Sequence, residues 1–167
     1  ALKYGYAFEA LESEPEIPVS FTDVKSGDYF YQPVVWAVEN DITSGTSTTT
    51  FSPSQACTRA QAMTFLWKAA GKPEPASSRN PFTDVKPDAY YYKAVLWAVE
   101  KGITSGTSAT TFSPNQSCTR GQIVTFLYKA AGSPSVSGSN PFKDVKSGDY
   151  FYNPVLWAVK NGITSGT

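Results

Sequence analysis

The amino-acid sequence predicts a mainly α-helical fold, an array of two-helix repeats that share a core, with long loops between the helices. Three observations lead there. Motifs return in phase: Phe21-Thr-Asp-Val-Lys25 recurs as Phe82-Thr-Asp-Val-Lys86 and as Phe142-Lys-Asp-Val-Lys146, Trp36 returns at Trp97 and Trp157, and Ile42-Thr-Ser-Gly-Thr46 returns at Ile103 and Ile163. The offset is 61 residues from Phe21 to Phe82 and 60 from Phe82 to Phe142. Apolar residues in the second segment of each complete copy fall at helical spacing. A two-helix unit cannot bury its apolar faces alone, so neighbouring copies must share a core.

Residues 1–20 do not match the repeat, and Pro15 and Pro18 argue against one continuous helix there; they read as an N-terminal segment or the tail of a preceding domain. The copies then run over residues 21–75, 82–136 and 142–167, the third truncated, all within one domain. Each opens on a short extended entry, Phe-x-Asp-Val. A helix follows, roughly Gln32 to Asn40 in the first copy, with Pro33 acceptable in its first turn. Gly102 and Gly162 end the equivalent helices at a position that takes positive φ, where the first copy has Asp41.

A loop from Thr43 to Gln55 comes next, too long for a simple turn and of the kind that often carries binding. Thr58 then caps a second helix, with Gln61 three residues on completing a capping box that Thr119 and Gln122 repeat. Ala62, Phe65, Leu66 and Ala69 form its apolar face, widened by Met63, Trp67 and Ala70. Gly71 and Gly132 close these helices, with Pro73 and Pro134 just beyond. The linkers 72–80 and 133–140, rich in Pro, Ser and Gly, read as flexible or extended connectors. The third copy stops inside the loop, so the repeat predicts a natural chain that continues for about twenty-five residues.

Composition narrows the function. Hydrophobic residues at 41% and aromatics at 14% support a packed core. Fourteen basic residues balance fourteen acidic ones, which gives no electrostatic reason to expect nucleic acid or an anionic membrane as partner. No apolar run reaches the length of a membrane span. Histidine is absent, so no Ser-His-Asp or Cys-His arrangement and no imidazole metal ligation is available. No phosphate-binding glycine loop and no cofactor motif is present. Paired carboxylates are conceivable, but the acids recur as repeat features, and repetition suits multivalent contact better than a single catalytic centre.

Several residue types carry candidate roles. Arg59 and Arg120 stand at the first position of a helix, where the backbone dipole favours an anion and a guanidinium can grip a carboxylate; the alternative is an ion pair that locks the loop. Asp23, Asp84 and Asp144 suit capping of backbone N–H groups, with ligand or cation contact as the alternative. Trp36, Trp97 and Trp157 read as core. The triplets Tyr29-Phe-Tyr31, Tyr90-Tyr-Tyr92 and Tyr150-Phe-Tyr152 cannot face wholly inward, and one exposed ring per copy could stack on a sugar. Cys57 and Cys118 read as small, buried apolar residues with free thiols; a lowered thiol pKa at the helix start and a disulfide between copies are the alternatives.

The ordered set of motifs resembles the S-layer homology domain over residues 21–167: Phe-x-Asp-Val, an aromatic-led helix, Gly-Ile, a glycine-containing loop, Phe-x-Pro, and Thr-Arg-Ala opening a helix. That resemblance implies a pseudo-trimer of two-helix repeats around a shared helical bundle. It also implies an extracellular place at the bacterial cell wall or surface layer, and non-covalent anchoring by binding secondary cell-wall polysaccharide, often pyruvylated, or a peptidoglycan-linked glycan. Carried across, its ligand contacts fall on Arg59 and Arg120 and on the loop glycines Gly45, Gly106 and Gly166, to which the residues themselves add Tyr29, Tyr90 and Tyr150. No catalytic residue, metal or cofactor is implied. The sequence departs from the family at Gln61 and Gln122, where glutamate is usual, at Gly121 in place of alanine, at the cysteines, and in the loop, where Thr48-Thr-Thr50 replaces Asp-Gly-Thr. Two further roles remain open: a module assembling surface proteins without sugar, and a fragment of a wall-active enzyme whose catalytic domain lies elsewhere.

Overall fold

The computed structural model describes residues 21–166, so the expectation for residues 1–20 lies outside the described part. Five helices appear: α1 Tyr31–Glu39, α2 Arg59–Ala69, α3 Tyr92–Glu100, α4 Arg120–Ala130 and α5 Tyr152–Lys160. No strand occurs among the described residues, although Thr58 and Ser117 form one isolated antiparallel bridge. The chain divides into two compact units, Ala1–Ala56 and Cys57–Thr167.

The two helix types start differently. The first helix of each copy has no side-chain cap, because Phe30, Tyr91 or Phe151 stands at the N-cap. A turn leads into it instead, with the N–H of Tyr31 bonded to the Asp28 carbonyl at 3.0 Å and Tyr92 to Ala89 at 2.9 Å. The second helix is closed by a full capping box. In α2 the Thr58 hydroxyl accepts from the Gln61 N–H at 3.2 Å and the Gln61 side chain accepts from the Thr58 N–H at 2.9 Å; Thr119 and Gln122 do the same for α4.

All these helices end in left-handed residues. After α3, Gly102 has φ +69°, and the N–H groups of Gly102 and Ile103 return to the carbonyls of Val99 and Ala98 at 3.0 and 2.8 Å. Asp41 takes the same conformation after α1 at φ +56°, which the aspartate side chain tolerates better than most. The linkers are more tied down than their composition suggests. The Trp67 indole donates to the Pro73 carbonyl at 2.8 Å and the Tyr128 hydroxyl to that of Pro134 at 3.0 Å. At the far end Asn80 bridges the Phe82 N–H and the Val85 carbonyl, and Asn140 repeats this for the third copy.

In the larger unit the second helix of each copy packs on the first helix of the next: α2 on α3, and α4 on α5, with α2 also touching α4. Met63 and Phe112 are 0% exposed and Ile103 1%, so the core lies at the seam between sequence copies rather than inside one. A satellite cluster of Val124, Val155 and Ala158 repeats the seam one copy later. The smaller unit contains a single described helix and a small cluster of Phe21, Val24 and Val34. The tryptophans follow suit. Trp97 is buried in the seam with α2, and Trp157 packs edge-on against Tyr128 of α4 at 5.7 Å. Trp36, expected in a core, is 46% exposed, and among the described residues of its unit no second helix lies against it.

Met63→Ala should lower stability by about 2–5 kcal/mol, the range for emptying a tightly packed site of this size, whereas Gln32→Ala on the exposed side of α1 should stay within about 0.5 kcal/mol. Urea unfolding of the two variants checks the contrast.

Candidate functional site

The candidate site is the long loop together with the entry segment on which it folds back. In the second copy the Asp84 carboxylate accepts the N–H of Phe112 at 2.8 Å and that of Ser113 at 2.7 Å, one on each oxygen. Asp23 does the same for Phe51 and Ser52, at 2.9 and 2.7 Å. These bonds pull the Asp23 carboxyl below its ordinary pKa, the Phe51 N–H contributing most and desolvation opposing. The loop also bonds to the entry segment, Thr83 N–H to the Thr110 carbonyl at 2.9 Å and Thr22 N–H to the Thr49 carbonyl at 2.8 Å. Inside the loop Thr107 and Thr111 close a turn at 2.8 Å, tightened by Ser108.

The loop glycines are where this plate meets the entry phenylalanine. Gly106 has φ +87°, and a Cβ there would come within 2.5 Å of a Phe82 ring carbon and of the Thr111 carbonyl oxygen. Gly45 and Gly166 stand equally close to Phe21 and Phe142, at 2.6 Å. Close packing alone therefore accounts for glycine at all three positions.

The two motif arginines are placed unlike each other. Arg59 is 3% exposed. Its Nε donates to the Phe112 carbonyl at 2.8 Å and its Nη2 reaches the Thr104 hydroxyl at 3.4 Å, while the guanidinium lies 4.8 Å from the Phe112 ring centre and 5.5 Å from that of Phe126. Burial pushes its pKa down, opposed by Cys118, Asp84 and Tyr150, yet a guanidinium stays charged throughout the physiological range. Arg59 thus ties the start of α2 to the loop of the following copy. Arg120 is exposed, with Nη2 at 3.3 Å from the Thr164 hydroxyl. It borders a cleft of about 1060 Å³ that Phe142, Asp144, Ile163, Thr164 and Gly166 also line.

Tyr29, Tyr90 and Tyr150 are 94%, 66% and 63% exposed, so one ring of each aromatic triplet faces solvent. Each sits edge-on against the next aromatic residue, with centroids 5.0–5.1 Å apart, which holds the ring upright. Cys57 and Cys118 are free and half-buried, and the Cys118 N–H bonds to the Cys57 carbonyl at 2.9 Å. Burial pushes both thiols up, the opposite of an activated nucleophile. Gly121 has a packing reason too: a Cβ there would meet the Phe151 ring at 2.9 Å. The residues that sequence reasoning passed over are Thr104 and Thr164, buried or half-buried partners of the arginines; their recurrence in Ile-Thr-Ser-Gly was the available signal. Among the described residues no group of three His, Cys, Asp or Glu side chains could hold a metal ion.

Known proteins with this order of motifs bear directly on the site. The sequence profile of the S-layer homology domain matches residues 20–63, 81–124 and 141–167. The chain belongs to the S-layer homology domain family. It is 32% identical over 144 residues to the surface-layer 125 kDa protein of Lysinibacillus sphaericus, covering 86% of the chain and 12% of that protein. It is 36% identical over 110 residues to an endoglucanase of Bacillus sp. (strain KSM-635), covering 66% of the chain and 11% of that enzyme. An S-layer protein of Bacillus thuringiensis subsp. finitimus is 26% identical over 152 residues, 89% of the chain and 18% of that protein. The chain thus spans about a tenth to a fifth of these relatives. Domains of this family are non-catalytic cell-wall anchors, which supports a general anchoring role and an extracellular place at the cell wall or surface layer.

Two outcomes test the loop chemistry. Asp84→Ala should lower the urea midpoint of the larger unit, because two loop N–H groups lose their acceptor, whereas Asp144→Ala should change stability by no more than about 0.5 kcal/mol. Because the folded Asp23 pKa is depressed, its contribution is fully present above the ordinary aspartate value and is lost as pH falls through the lower folded value. The Phe51 and Ser52 amide resonances should therefore titrate together, with a midpoint below that of an unperturbed aspartate.

Proposed function

We propose that the chain anchors its parent protein by binding secondary cell-wall polysaccharide through the exposed tyrosines that recur once per copy. The observation that carries this reading is the equivalence of Tyr29, Tyr90 and Tyr150: three upright aromatic faces at corresponding positions, each with a hydroxyl, on the surface of a wall-anchoring family. An aromatic face stacks on the C–H face of a pyranose while its hydroxyl bonds to the ring substituents. Each contact is weak, and a polymer that meets several at once gains avidity without any strong single site.

The loop glycines Gly45, Gly106 and Gly166 serve this reading by holding the loop shape against the entry phenylalanines. Arg59 serves it from beneath, through the Phe112 carbonyl. Arg120 is the arginine of the two that is accessible to an acidic substituent such as a pyruvyl carboxylate, and only while the cleft beside it stands open.

Purified sacculi should pellet the protein, and sacculi stripped of secondary polysaccharide should not. Replacing Tyr29, Tyr90 and Tyr150 together by alanine should weaken pelleting by about tenfold or more, the loss of roughly 1.4 kcal/mol of binding, with the circular dichroism unchanged. Equal retention on stripped sacculi would sink the polysaccharide reading.

A further inference from the structure

The two cysteines of the chain stand opposite each other where two copies meet. Thr58 and Ser117 form an antiparallel bridge, flanked by the Arg59 N–H on the Gln116 carbonyl and the Cys118 N–H on the Cys57 carbonyl, each at 2.9 Å. That register makes Cys57 and Cys118 the next facing pair, and facing side chains of an antiparallel pair project to the same side. The segment from Phe112 to Cys118 is held on the start of α2 by further bonds. The Ala60 N–H donates to the Pro114 carbonyl at 3.0 Å, and the Arg59 Nε donates to the Phe112 carbonyl at 2.8 Å. The following copy thus supplies acceptors to the first N–H groups of α2, which have none within their own helix. Both cysteines pack against the same apolar core and are half-buried.

We infer that Cys57 and Cys118 form a cross-linking site, whose oxidation to a disulfide staples the start of α2 to the segment that leads into α4. The spacing suits the bond. Facing residues in a hydrogen-bonded antiparallel pair have Cα atoms about 5.5 Å apart, within the roughly 4.4–6.8 Å that a disulfide spans. Their Cβ atoms stand about 4.5–5.5 Å apart and must come to about 4 Å, so closure takes a shift of about 1 Å. It also turns the Cys57 thiol off the Thr58 carbonyl, to which it donates at 3.5 Å. The compartment suits the bond too, because disulfides persist outside the cell and this family is extracellular. The co-reactant is a disulfide of low molecular mass. Burial raises both thiols; Cys118 adds to this at Cys57, whereas the Arg59 guanidinium opposes it at Cys118. The Cys118 thiolate therefore attacks first, forming a mixed disulfide and expelling one small thiolate. The Cys57 thiolate then attacks the Cys118 sulfur and expels the second. Two protein thiols are oxidised, one small disulfide is reduced to two thiols, and the two cysteine protons pass to them. Raised thiols react slowly in the folded chain, which fits a lasting staple rather than a rapid switch. The ring it closes spans one whole repeat, Cys57 to Cys118, and restricts the unfolded chain accordingly.

The test refolds the full chain from urea in a glutathione redox buffer, so that both thiols meet the oxidant before the core closes on them. The product should be a monomer lighter by two hydrogens than the reduced chain and inert to iodoacetamide, with the Cys57 and Cys118 peptides joined. Its equilibrium against glutathione should favour the protein disulfide about a hundredfold more in native buffer than in concentrated urea, the preference of a bond that the fold accommodates. Its urea midpoint should exceed that of the reduced chain, while the double variant Cys57→Ser, Cys118→Ser should show one midpoint in oxidising and reducing buffer. Thiols that stay free at equilibrium, a chain-to-chain dimer as the oxidised product, or equal constants in native buffer and urea would overturn the inference. So would a lower midpoint on oxidation, or the same rise in the double variant. The assay contains no wall material, so the glycan reading and this one can each fail alone.

Discussion

A helix of nine residues cannot hold itself together in water, since the cost of its first turn is recovered only over longer stretches. Every first helix in this chain is nine residues long, and none carries a side-chain cap. Its persistence depends on what lies against its apolar face. For α3 and α5 that is the capped, eleven-residue helix of the preceding copy, and the most deeply buried side chains, Met63, Val95 and Ala98, gather there. From this dependence the rest follows. The copies must succeed one another without long gaps, the linkers must be pinned by Trp67, Tyr128 and the entry asparagines, and the loop must fold back onto the entry segment of its own copy.

The loop looks, in sequence, like a binding loop with a motif arginine beside it. Its geometry shows how much of that conservation-like repetition is spent on shape. Asp84 accepts from two consecutive backbone amides and Arg59 of the copy before donates to the carbonyl between them, while Thr104 meets the guanidinium and Gly106 packs on Phe82. Among the repeated aromatic groups, Tyr29, Tyr90 and Tyr150 face solvent in every copy. Each copy thus carries an exposed aromatic face at a corresponding position, and a polymer that meets several such faces gains from their number.

The helices, their caps and the seam were legible in the sequence because their signals are local or strictly periodic. Thr58 with Gln61, Gly102 after the first helix, and the Ala62–Phe65–Leu66 face each declare themselves within a few residues. The family could be read from the order of motifs. The division of labour between Arg59 and Arg120 could not. Both occupy the same helix position and the same motif, and Arg59 differs among the described residues by its bond to the Phe112 carbonyl. That is a contact between residues 53 positions apart. Trp36 eluded the sequence for a related reason: its helix is as apolar as α3, and exposure depends on a neighbour rather than on the helix itself. Thr104 looked like an ordinary loop residue because its partner sits 45 positions away.

That exposed tryptophan gives the chain an optical property. Trp36 is the one tryptophan of residues 21–56, while Trp67, Trp97 and Trp157 lie in the larger unit, half-buried or buried. Its indole, 46% open to water, emits to the red of the others and meets a dissolved quencher first. Anything that comes to lie on α1 would blue-shift and shield that signal, so the first copy carries a native fluorophore that reports its own occupancy without a label.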